Sequence, residues 1–364
     1  MMDVDGFVKA RRRMMRFYRA WDMVNIVVRY STVKKILNLI RCLTEYVQGR
    51  EVLRSYPFEA NIESTNDCNL HCRYCRTGQG IPGRDRGAIK IAQFKAIIDD
   101  LGEYFYHVSL FGHGEPLLNR DLTSMIRYAR QKGIATLIHS NLNIPLRQEM
   151  AEDIVDSGLN YLSASIDGTS QETYEKYRIG GDLETVLKNI EKINKAKEKH
   201  GGKGPVLTWQ FIVFAHNEHE LMKAADMAKE RGMRFNVKYP SAPEKFKLKE
   251  YADREVFSGG DKCRFPWTQL NVAWDGSVTP CCFAFRKEED FGRIGEKDFR
   301  KLWNNERFLD ARRYCQDNKN MGEEWILCHD CSIERVINEI EHHNESGPGE
   351  TKQLKQTTIQ ARPP

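Results

Sequence analysis

The stretch HVSLFGHGEPLLNRDLTSMIRYARQKGIATLIHS, residues 107–140, contains two short β-like runs, His107–Phe111 and Ala135–His139. The segment between them has a helical pattern that ends at Gly133, and glycine commonly terminates helices. Two strands separated by a helix cannot pair through a hairpin, so they are expected to run parallel in one sheet.

The same strand–helix alternation extends along the chain on both sides of this stretch. Four more β-like runs are present: Phe58–Glu63, Tyr161–Ile166, Val206–Val213 and Met233–Val237. Helical patterns beside them also end at glycine, namely at Gly102, Gly158 and Gly232. Six such units predict an α/β fold, a partial (β/α)6 parallel barrel, with the chemistry on loops that leave the C-terminal ends of the strands.

This pattern divides the chain into four segments: a helical extension (1–50), the barrel (51–240), a small C-terminal α+β domain (241–344) and a polar tail (345–364). The second boundary rests on residues 240–262, which are polar and charged and contain two prolines. The tail is expected to be disordered because it is polar and rich in Gly, Pro, Lys and Gln.

The N-terminal extension combines basic and aromatic side chains with a helical pattern. Lys9 and five arginines between Arg11 and Arg19 interleave with Met, Phe, Tyr and Trp. After Ser31, apolar residues recur at helical spacing: Ile36, Ile40, Leu43 and Val47. Two interpretations are open, a helix that lies on a membrane surface and a helix that packs on the protein with its basic side in solvent.

Composition and cysteine placement bound the class of protein. The chain has 364 residues, and its net charge of +5 is too small to argue for a nucleic-acid partner. No run reaches the roughly 18 to 20 apolar residues that span a bilayer, and no secretory signal pattern is present, so a cytoplasmic protein is expected. The ten cysteines fall mainly into two groups, which favours metal sites over a secreted disulfide framework.

The first group of thiols follows the first predicted strand directly. It reads Cys68-Asn-Leu-His-Cys72-Arg-Tyr-Cys75, which places three thiols within eight residues of one loop. Three thiols can bind three irons of a 4Fe–4S cube and leave the fourth iron open to another ligand. A structural zinc site takes four protein ligands, and this spacing is not that of the usual zinc knuckle.

This loop resembles the C-x3-C-x-aromatic-C loop of radical S-adenosylmethionine (SAM) enzymes. After the second strand, Gly112-His-Gly-Glu115-Pro116 is similar to the GGEP segment of that family, with His113 in place of a glycine. The resemblance implies that Gly114, Glu115 and Pro116 bind the amino group of SAM. It also implies reductive cleavage of SAM to a 5′-deoxyadenosyl radical, which abstracts a hydrogen atom from a substrate.

Three further segments resemble SAM-binding positions of the family. They are Ser140-Asn141 after the third strand, Ser165 and Asp167 after the fourth, and Arg178. The resemblance implies ribose and methionine contacts for the first two and a salt bridge to the SAM carboxylate for Arg178. The residues alone leave other roles open, a helix cap for Ser140 and Asn141 and a surface position for Arg178. All lie at the same end of consecutive strands, where a barrel brings them together.

The second group of thiols lies in the C-terminal domain. Asp275-Gly276 predicts a hairpin there, and helices are expected over residues 297–314 and 332–343. By spacing alone, the cysteines could bind zinc or an iron–sulfur cube. The arrangement is similar to the SPASM and shorter twitch extensions of radical SAM enzymes, which implies one auxiliary 4Fe–4S cluster with four ligands: Cys263, Cys281, Cys328 and Cys331. Cys282 or Cys315 could replace one of them.

Three substrate classes are compatible with the resemblance. They are a peptide that is oxidised or cross-linked, a sugar or cyclitol alcohol that is oxidised, and a lipid or lipid-linked molecule reached through the basic N-terminus. The sequence contains no separate peptide-recognition domain, which counts against the first. No general base is assigned, and the electron donor is expected to be a flavodoxin- or ferredoxin-like protein. A zinc-stabilised module that binds nucleic acid is disfavoured because RNA-binding signatures are absent.

Overall fold

The computed structural model describes residues 4–81, 83–239, 263–296, 298–317, 326–331 and 333–346. The predicted linker, residues 240–262, and most of the predicted tail, residues 347–364, lie outside the described residues. The four domain limits remain predictions.

Six parallel strands confirm the predicted barrel sheet. They are β1 (Glu59–Ile62), β2 (His107–Ser109), β3 (Ala135–Ser140), β4 (Tyr161–Ser165), β5 (Val206–Ile212) and β6 (Arg234–Lys238). Each strand pairs in parallel with the next one in the chain. The helices between them are α3 (Ile91–Leu101), α4 (Leu122–Gln131), α5 (Gln148–Asp156), α6 (Gln171–Glu175), α7 (Leu183–Lys199) and α8 (Leu221–Glu230). The barrel is open, because β6 ends the described sheet on one side.

The two faces of the barrel sheet differ in polarity, since successive side chains of a strand point to opposite faces. The outer face packs apolar residues such as Ile62, Val108 and Trp209 into the main hydrophobic core, which also holds apolar residues of α3–α8. The inner face carries buried polar residues, among them Asn61 and Gln210. The inside of the barrel is therefore built for a polar occupant.

Glycine lies at the end of the helix at all four predicted positions. Gly133, Gly158 and Gly232 have φ values of 66°, 83° and 65°, a region that glycine enters without a steric cost. Gly102 differs, because its φ is −61° and other residues adopt that value readily. Space explains this glycine instead, since a Cβ there would lie 2.4 Å from the Ile98 carbonyl oxygen.

The first N-terminal helix, α1 (Val4–Tyr30), lies along β6 at the open side of the barrel. Asp22 pairs with Arg234 near the start of the strand, Arg19 Nη2 donates to Asn236 Oδ1 at 3.4 Å, and the Arg12 guanidinium lies over Tyr239 just beyond its end. Residue numbers fall along α1 as they rise along β6, so the two elements are antiparallel. The helix closes the open side of the barrel.

The second N-terminal helix, α2 (Val33–Val47), packs on the protein through its polar side. The buried residues are Lys35, Asn38, Cys42 and Glu45. Lys35 Nζ donates to the Gly133 carbonyl at 2.7 Å, and the Asn38 side chain exchanges two hydrogen bonds of 2.9 Å with the Tyr56 backbone. These hydrogen bonds fix the rotation of α2 about its axis, and its apolar side therefore faces away from the protein.

Burial of Lys35 makes the stability of the protein depend on pH. Burial lowers the pKa of this amine from 10.5 to about 8 in the folded protein. Between these two values the unfolded chain binds the proton and the folded protein does not, so the free energy of unfolding is expected to rise with pH in this window. Denaturant unfolding at pH 7.5 and pH 10 tests this, with Lys35→Met as the comparison. The same rise in both proteins would show that Lys35 is not its cause.

The C-terminal part adds strands to the same sheet. Strand β7 (Gln269–Val272) pairs in parallel with β1 and continues into an antiparallel hairpin with β8 (Ser277–Thr279), and β9 (Gly292–Arg293) follows. The hairpin at Asp275-Gly276 is confirmed, and Gly276 has a φ of 91°. Nine described strands thus form one sheet, ordered β6-β5-β4-β3-β2-β1-β7-β8-β9.

The predicted helix over residues 297–314 is two helices, α10 (Phe299–Trp303) and α11 (Glu306–Asp317). Asn305 causes the break. Its Oδ1 accepts from the Phe308 amide at 3.1 Å and caps the start of α11, while its Nδ2 donates to the Phe291 carbonyl at 2.6 Å. The remaining helices are α9 (Phe265–Thr268) and α12 (Ile333–Ser346), and the latter agrees with the predicted helix over 332–343.

Candidate functional site

The loop after β1 holds the first three thiols at the C-terminal ends of the strands. The Cys75 amide donates to the Cys72 carbonyl at 3.1 Å, and Gly78 lies so close that a Cβ would come within 2.6 Å of the Cys72 amide nitrogen. The loop is therefore wound tightly around Cys72, which is buried, whereas Cys68 and Cys75 are partly exposed.

Two side chains from other loops reach the thiols. Arg178 Nη1 lies 3.6 Å from the Cys72 sulfur, and Asn141 Nδ2 lies 3.8 Å from the Cys68 sulfur. Burial raises the pKa of Cys68 to about 11 and also raises that of Cys72, where the Arg178 charge opposes the shift. Iron must displace these protons, because the thiolate is the ligand.

The Gly114–Pro116 segment is fastened to the start of the same loop. The Glu115 amide donates to the Asp67 carbonyl at 2.7 Å, and a Cβ on Gly114 would lie 2.4 Å from the carbonyl oxygens of Thr65 and Asp67. Only glycine fits there. Pro116 begins a short 3-10 turn, residues Pro116–Leu118.

The Glu115 carboxylate is buried and bound by the protein. It accepts hydrogen bonds from Ser140 Oγ, from the Asn141 amide and from the Leu117 amide, at 2.7, 2.7 and 3.0 Å. Burial raises its pKa, and the hydrogen bonds from Asn141 and Ser140 oppose that shift. Glu115 therefore acts as a positioning residue that ties this segment to the end of β3. The predicted contacts of Gly114, Glu115 and Pro116 with the SAM amino group remain predictions.

The turn after β3 is strained where it meets the site. Leu142 has a φ of 53°, the single positive value among the described non-glycine residues. The Ser140 hydroxyl accepts from the Leu142 amide at 2.9 Å, and Asn141 Oδ1 accepts from the Asn143 amide at 2.7 Å. These bonds hold the turn in its unfavourable conformation and leave Asn141 Nδ2 directed at the cysteine loop.

A buried ion pair joins β4 to the site. Asp167 is fully buried, accepts from Arg178 Nε at 2.7 Å through one oxygen and from the Ile212 amide at 2.6 Å through the other. The carboxylate thereby holds the guanidinium beside Cys72, at the position where the resemblance predicts a SAM carboxylate. Asp167 is a positioning residue, and Ser165 lies two residues earlier, at the end of β4.

The second group of thiols lines a small cavity. Its lining includes five cysteines: Cys263, Cys281, Cys315, Cys328 and Cys331. The structure thus brings the four predicted ligands together and adds Cys315, whose thiol is hydrogen-bonded to those of Cys263 and Cys328. Burial raises the pKa of Cys281 and of Cys328, in the latter case against the hydrogen bond with Cys315. Apolar residues, among them Phe265, Phe283 and Leu327, complete the lining of the cavity.

Both sites have donor sets of sulfur alone. Within the described part of the chain, no three thiol, imidazole or carboxylate groups are arranged around one metal ion. The thiols of a cubane each bind a different iron, so they need not converge on one point. The residues therefore fit two iron–sulfur sites, one lined by three thiols and one lined by five.

Cys282 provides a matched control for the auxiliary ligands. It is adjacent to Cys281 in sequence but lies outside the lining of the cavity and is exposed to solvent. Cys281→Ala is expected to lower the iron content by about half, whereas Cys282→Ala retains it. Iron analysis of anaerobically reconstituted proteins measures both. Equal losses would make Cys282 a ligand.

The auxiliary cavity is fastened to the first site by direct contacts. Arg76 Nη1 donates to the Phe283 carbonyl at 3.2 Å, and His113 Nε2 lies 2.8 Å from the Ala284 carbonyl oxygen. His113, where the resemblance expects glycine, thus connects the two sites.

Sequence reasoning missed two residues at the site. Lys238 ends β6, opposite Ile212 in the register, and Asn217 donates to the Asp167 and Ile212 carbonyls at 3.0 and 2.9 Å. Polar residues alternate along β6, at Arg234, Asn236 and Lys238. This alternation could have predicted that Lys238 lies on the polar face of the sheet. Asn217 lies in a loop and has no local signal.

Two family models match the chain. One is the radical SAM superfamily over residues 62–228, and the other is the SPASM iron–sulfur cluster-binding domain over residues 263–332. Together these segments cover well over half of the chain.

Curated relatives align with part of the chain. AdoMet-dependent heme synthase of Methanosarcina barkeri is 30% identical over 173 residues, 47% of this chain and 46% of the relative. Fe-coproporphyrin III synthase of the same organism is 33% identical over 138 residues, 38% of this chain and 34% of the relative. The matched regions thus span at most about half of these relatives.

Solved structures show the same fold. SuiB of Streptococcus suis bound to S-adenosylmethionine has a TM-score of 0.58 at 18% identity, and the match covers 82% of this chain and 79% of that one. The fold, the two thiol groups and the two family matches agree. The chain belongs to the radical SAM superfamily, binds SAM and a 4Fe–4S cluster, and carries a SPASM domain that binds auxiliary iron–sulfur.

Proposed function

We propose that this enzyme abstracts a hydrogen atom from a polar substrate on the inner face of the barrel, and that the auxiliary cluster accepts the electron left on the substrate. The reaction class is that of an oxidoreductase or maturase. The observation that carries the proposal is the position of Lys238 at the C-terminal end of β6, opposite Ile212, whose amide donates to Asp167.

The Lys238 side chain reaches solvent although protein atoms surround it, as in the wall of a cleft. This burial lowers its pKa to about 8, and the Arg19 charge adds to the shift. The charge of Asp167, in the predicted SAM site, opposes the lowering of this pKa. Cys282, which is adjacent to the predicted auxiliary ligand Cys281, has the same effect. Lys238 is therefore placed to bind an anionic or hydrogen-bond-accepting group of a substrate between the two clusters.

The inner face of the barrel offers further polar contacts. Four buried side-chain atoms there lack a hydrogen-bond partner among the described residues: Asn61 Oδ1, Ser163 Oγ, Gln210 Oε1 and Asn271 Nδ2. Buried polar atoms are normally paired, so these indicate a ligand or water in the chamber. Amide and hydroxyl groups of a peptide, sugar or cyclitol would satisfy them.

The residues of this chain divide the work of the reaction. When bound, the first cluster supplies the electron that cleaves SAM. Cys68, Cys72 and Cys75 hold it, Asp167 holds Arg178 for the SAM carboxylate, and the α1 helix closes the open side of the barrel. Closure excludes water and oxygen from a reactive radical.

Labelled substrate tests the proposal. Anaerobic enzyme is incubated with SAM, dithionite and extract from cells grown in deuterated medium, separated into peptide, sugar and lipid fractions. SuiB was solved bound to the precursor peptide SuiA, so the peptide fraction comes first. Deuterium in 5′-deoxyadenosine from the peptide or sugar fraction supports the proposal. Transfer from the lipid fraction alone would favour the lipid-linked substrate, and no 5′-deoxyadenosine from iron-loaded enzyme with any fraction would contradict hydrogen abstraction.

Lys238→Met separates substrate binding from SAM cleavage. Deuterium transfer is expected to fall by roughly tenfold or more, because removing one partner of a desolvated charge pair costs ~2 kcal/mol or more. Cleavage of SAM without substrate should persist, since the cysteine loop is unchanged. Mass spectrometry of 5′-deoxyadenosine measures both. Undiminished deuterium transfer would remove Lys238 from the substrate site.

A further inference from the structure

The outward face of α1 carries an apolar stripe. Phe17, Trp21, Val24 and Val28 follow one another at intervals of four, three and four residues, and all are exposed. Three of the residues that α1 buries, Val8, Met15 and Ile26, lie on the opposite side of the helix. The stripe therefore belongs to the solvent side.

The outward face of α2 is apolar as well. Its exposed large apolar residues are Val33, Ile36, Leu37, Ile40, Leu43 and Val47, and Val33 and Val47 are 75% and 82% exposed. A helix of a soluble protein normally buries its apolar side. In α2, hydrogen bonds of Lys35 and Asn38 hold the polar side against the protein. The apolar side of α2 therefore faces solvent.

These residues are ten of the fourteen exposed large hydrophobic residues in the described ranges. Beyond α1 and α2, the other exposed large hydrophobic residues in the described ranges are Val52, Leu118, Ile179 and Met222. Apolar surface concentrated in this way marks an interaction site.

The charges around the exposed apolar residues of α1 and α2 indicate which kind of partner this surface binds. Between residues 4 and 47, ten Lys and Arg side chains accompany three carboxylates, Asp5, Asp22 and Glu45. Asp22 and Glu45 face inward, since Asp22 pairs with Arg234 and Glu45 accepts from Ser55 Oγ at 2.6 Å. Exposed Arg13, Arg16, Arg29 and Arg41 remain on or beside the outward surface. A second copy of the chain would bring these cations together, so a symmetric dimer through this surface is disfavoured.

We propose that α1 and α2 form a docking surface that lies in the interface of an anionic lipid bilayer. The apolar residues enter the boundary between headgroups and acyl chains, while the arginines contact lipid phosphates. None of the described helices is long and apolar enough to cross a bilayer. Docking is thus in the plane of the membrane, and it places the α1-covered side of the barrel at the lipid surface.

Vesicle flotation of the anaerobically purified full-length enzyme tests this proposal. The probes are vesicles of phosphatidylcholine alone and of phosphatidylcholine mixed with phosphatidylglycerol. The enzyme is expected to float with the anionic vesicles, less with the neutral ones, and less again in high salt. Ile40→Glu and Val28→Glu should each lower partitioning of the enzyme into the vesicles by roughly tenfold. Each substitution places a charge on apolar surface that the membrane would otherwise bury.

Two controls keep the outcome clear. Met222→Glu changes an exposed apolar residue on α8 and should float like the wild type. Iron content and circular dichroism establish that each variant is folded. Bromolipid should quench the fluorescence of Trp21, and the quenched part should vanish in Trp21→Phe. Absence of flotation by the folded enzyme would overturn the proposal, as would a soluble dimer that Ile40→Glu dissociates.

Discussion

Cys72→Ala is expected to abolish formation of 5′-deoxyadenosine. Cys72 is the buried thiol of the three and the residue around which the loop is wound, through the Cys75 amide and the close approach of Gly78. Without its sulfur, two ligands remain for a cluster that needs three. Arg178 also loses the thiolate beside it. Chromatography of anaerobic reactions with SAM and dithionite measures the product.

Cys42→Ala is the matched control, because it removes a different buried thiol. Cys42 lies in α2, and its sulfur donates to the Trp267 carbonyl at 3.1 Å. The variant should lose some stability but keep its iron and its product. Wild-type product formation by Cys72→Ala would show that another residue holds the first cluster.

Asp167→Ala is expected to lower the free energy of unfolding by about 3–5 kcal/mol, because it leaves the Arg178 guanidinium buried without its partner. The Ile212 amide loses its acceptor at the same time. SAM affinity should fall as well, since the guanidinium is no longer held beside Cys72. Denaturant unfolding followed by circular dichroism gives the first quantity, and calorimetric titration with SAM gives the second.

Glu172→Ala is the control for this ion pair. Glu172 pairs with Lys176 at 3.2 Å on the surface, where both side chains are largely exposed. Surface pairs of this kind contribute about 0.5 kcal/mol or less. If both variants lost stability equally, or if Asp167→Ala bound SAM like the wild type, the positioning role of Asp167 would be wrong.

Local sequence signals predicted most of the barrel. Each of the six β-like runs became a strand within one or two residues, because strand–helix alternation and helix-ending glycines act over short distances. The hairpin at Asp275-Gly276 was equally local. The pairing of β7 with β1 was not predicted, since it joins residues about two hundred positions apart and no short pattern encodes it.

The helix α2 shows a different reason for incomplete prediction. Its periodicity gave the helix and its two faces correctly. The periodicity did not predict which face of α2 packs against the protein. That choice depends on hydrogen bonds to the backbone of Tyr56 and Gly133, which lie outside the helix.

Motifs located the site residues better than they assigned their roles. The cysteine loop and the segment at Glu115 lie where the resemblance placed them. The structure uses the Glu115 and Asp167 side chains to position neighbours, a distinction that depends on hydrogen-bond partners and not on residue type. The ligand and SAM-contact assignments themselves stay predictions.

The pairing of β7 with β1 affects electron transfer between the two sulfur sites. Four residue pairs, from Glu59 with Gln269 to Ile62 with Val272, place both sulfur sites on one hydrogen-bonded framework. The tunnelling distance between them is then set by the sheet and does not fluctuate with the swing of a tethered domain. In the proposed reaction, electron transfer from the substrate radical to the auxiliary cluster should then proceed at a rate insensitive to solvent viscosity, because strand pairing fixes the gap when the chain folds.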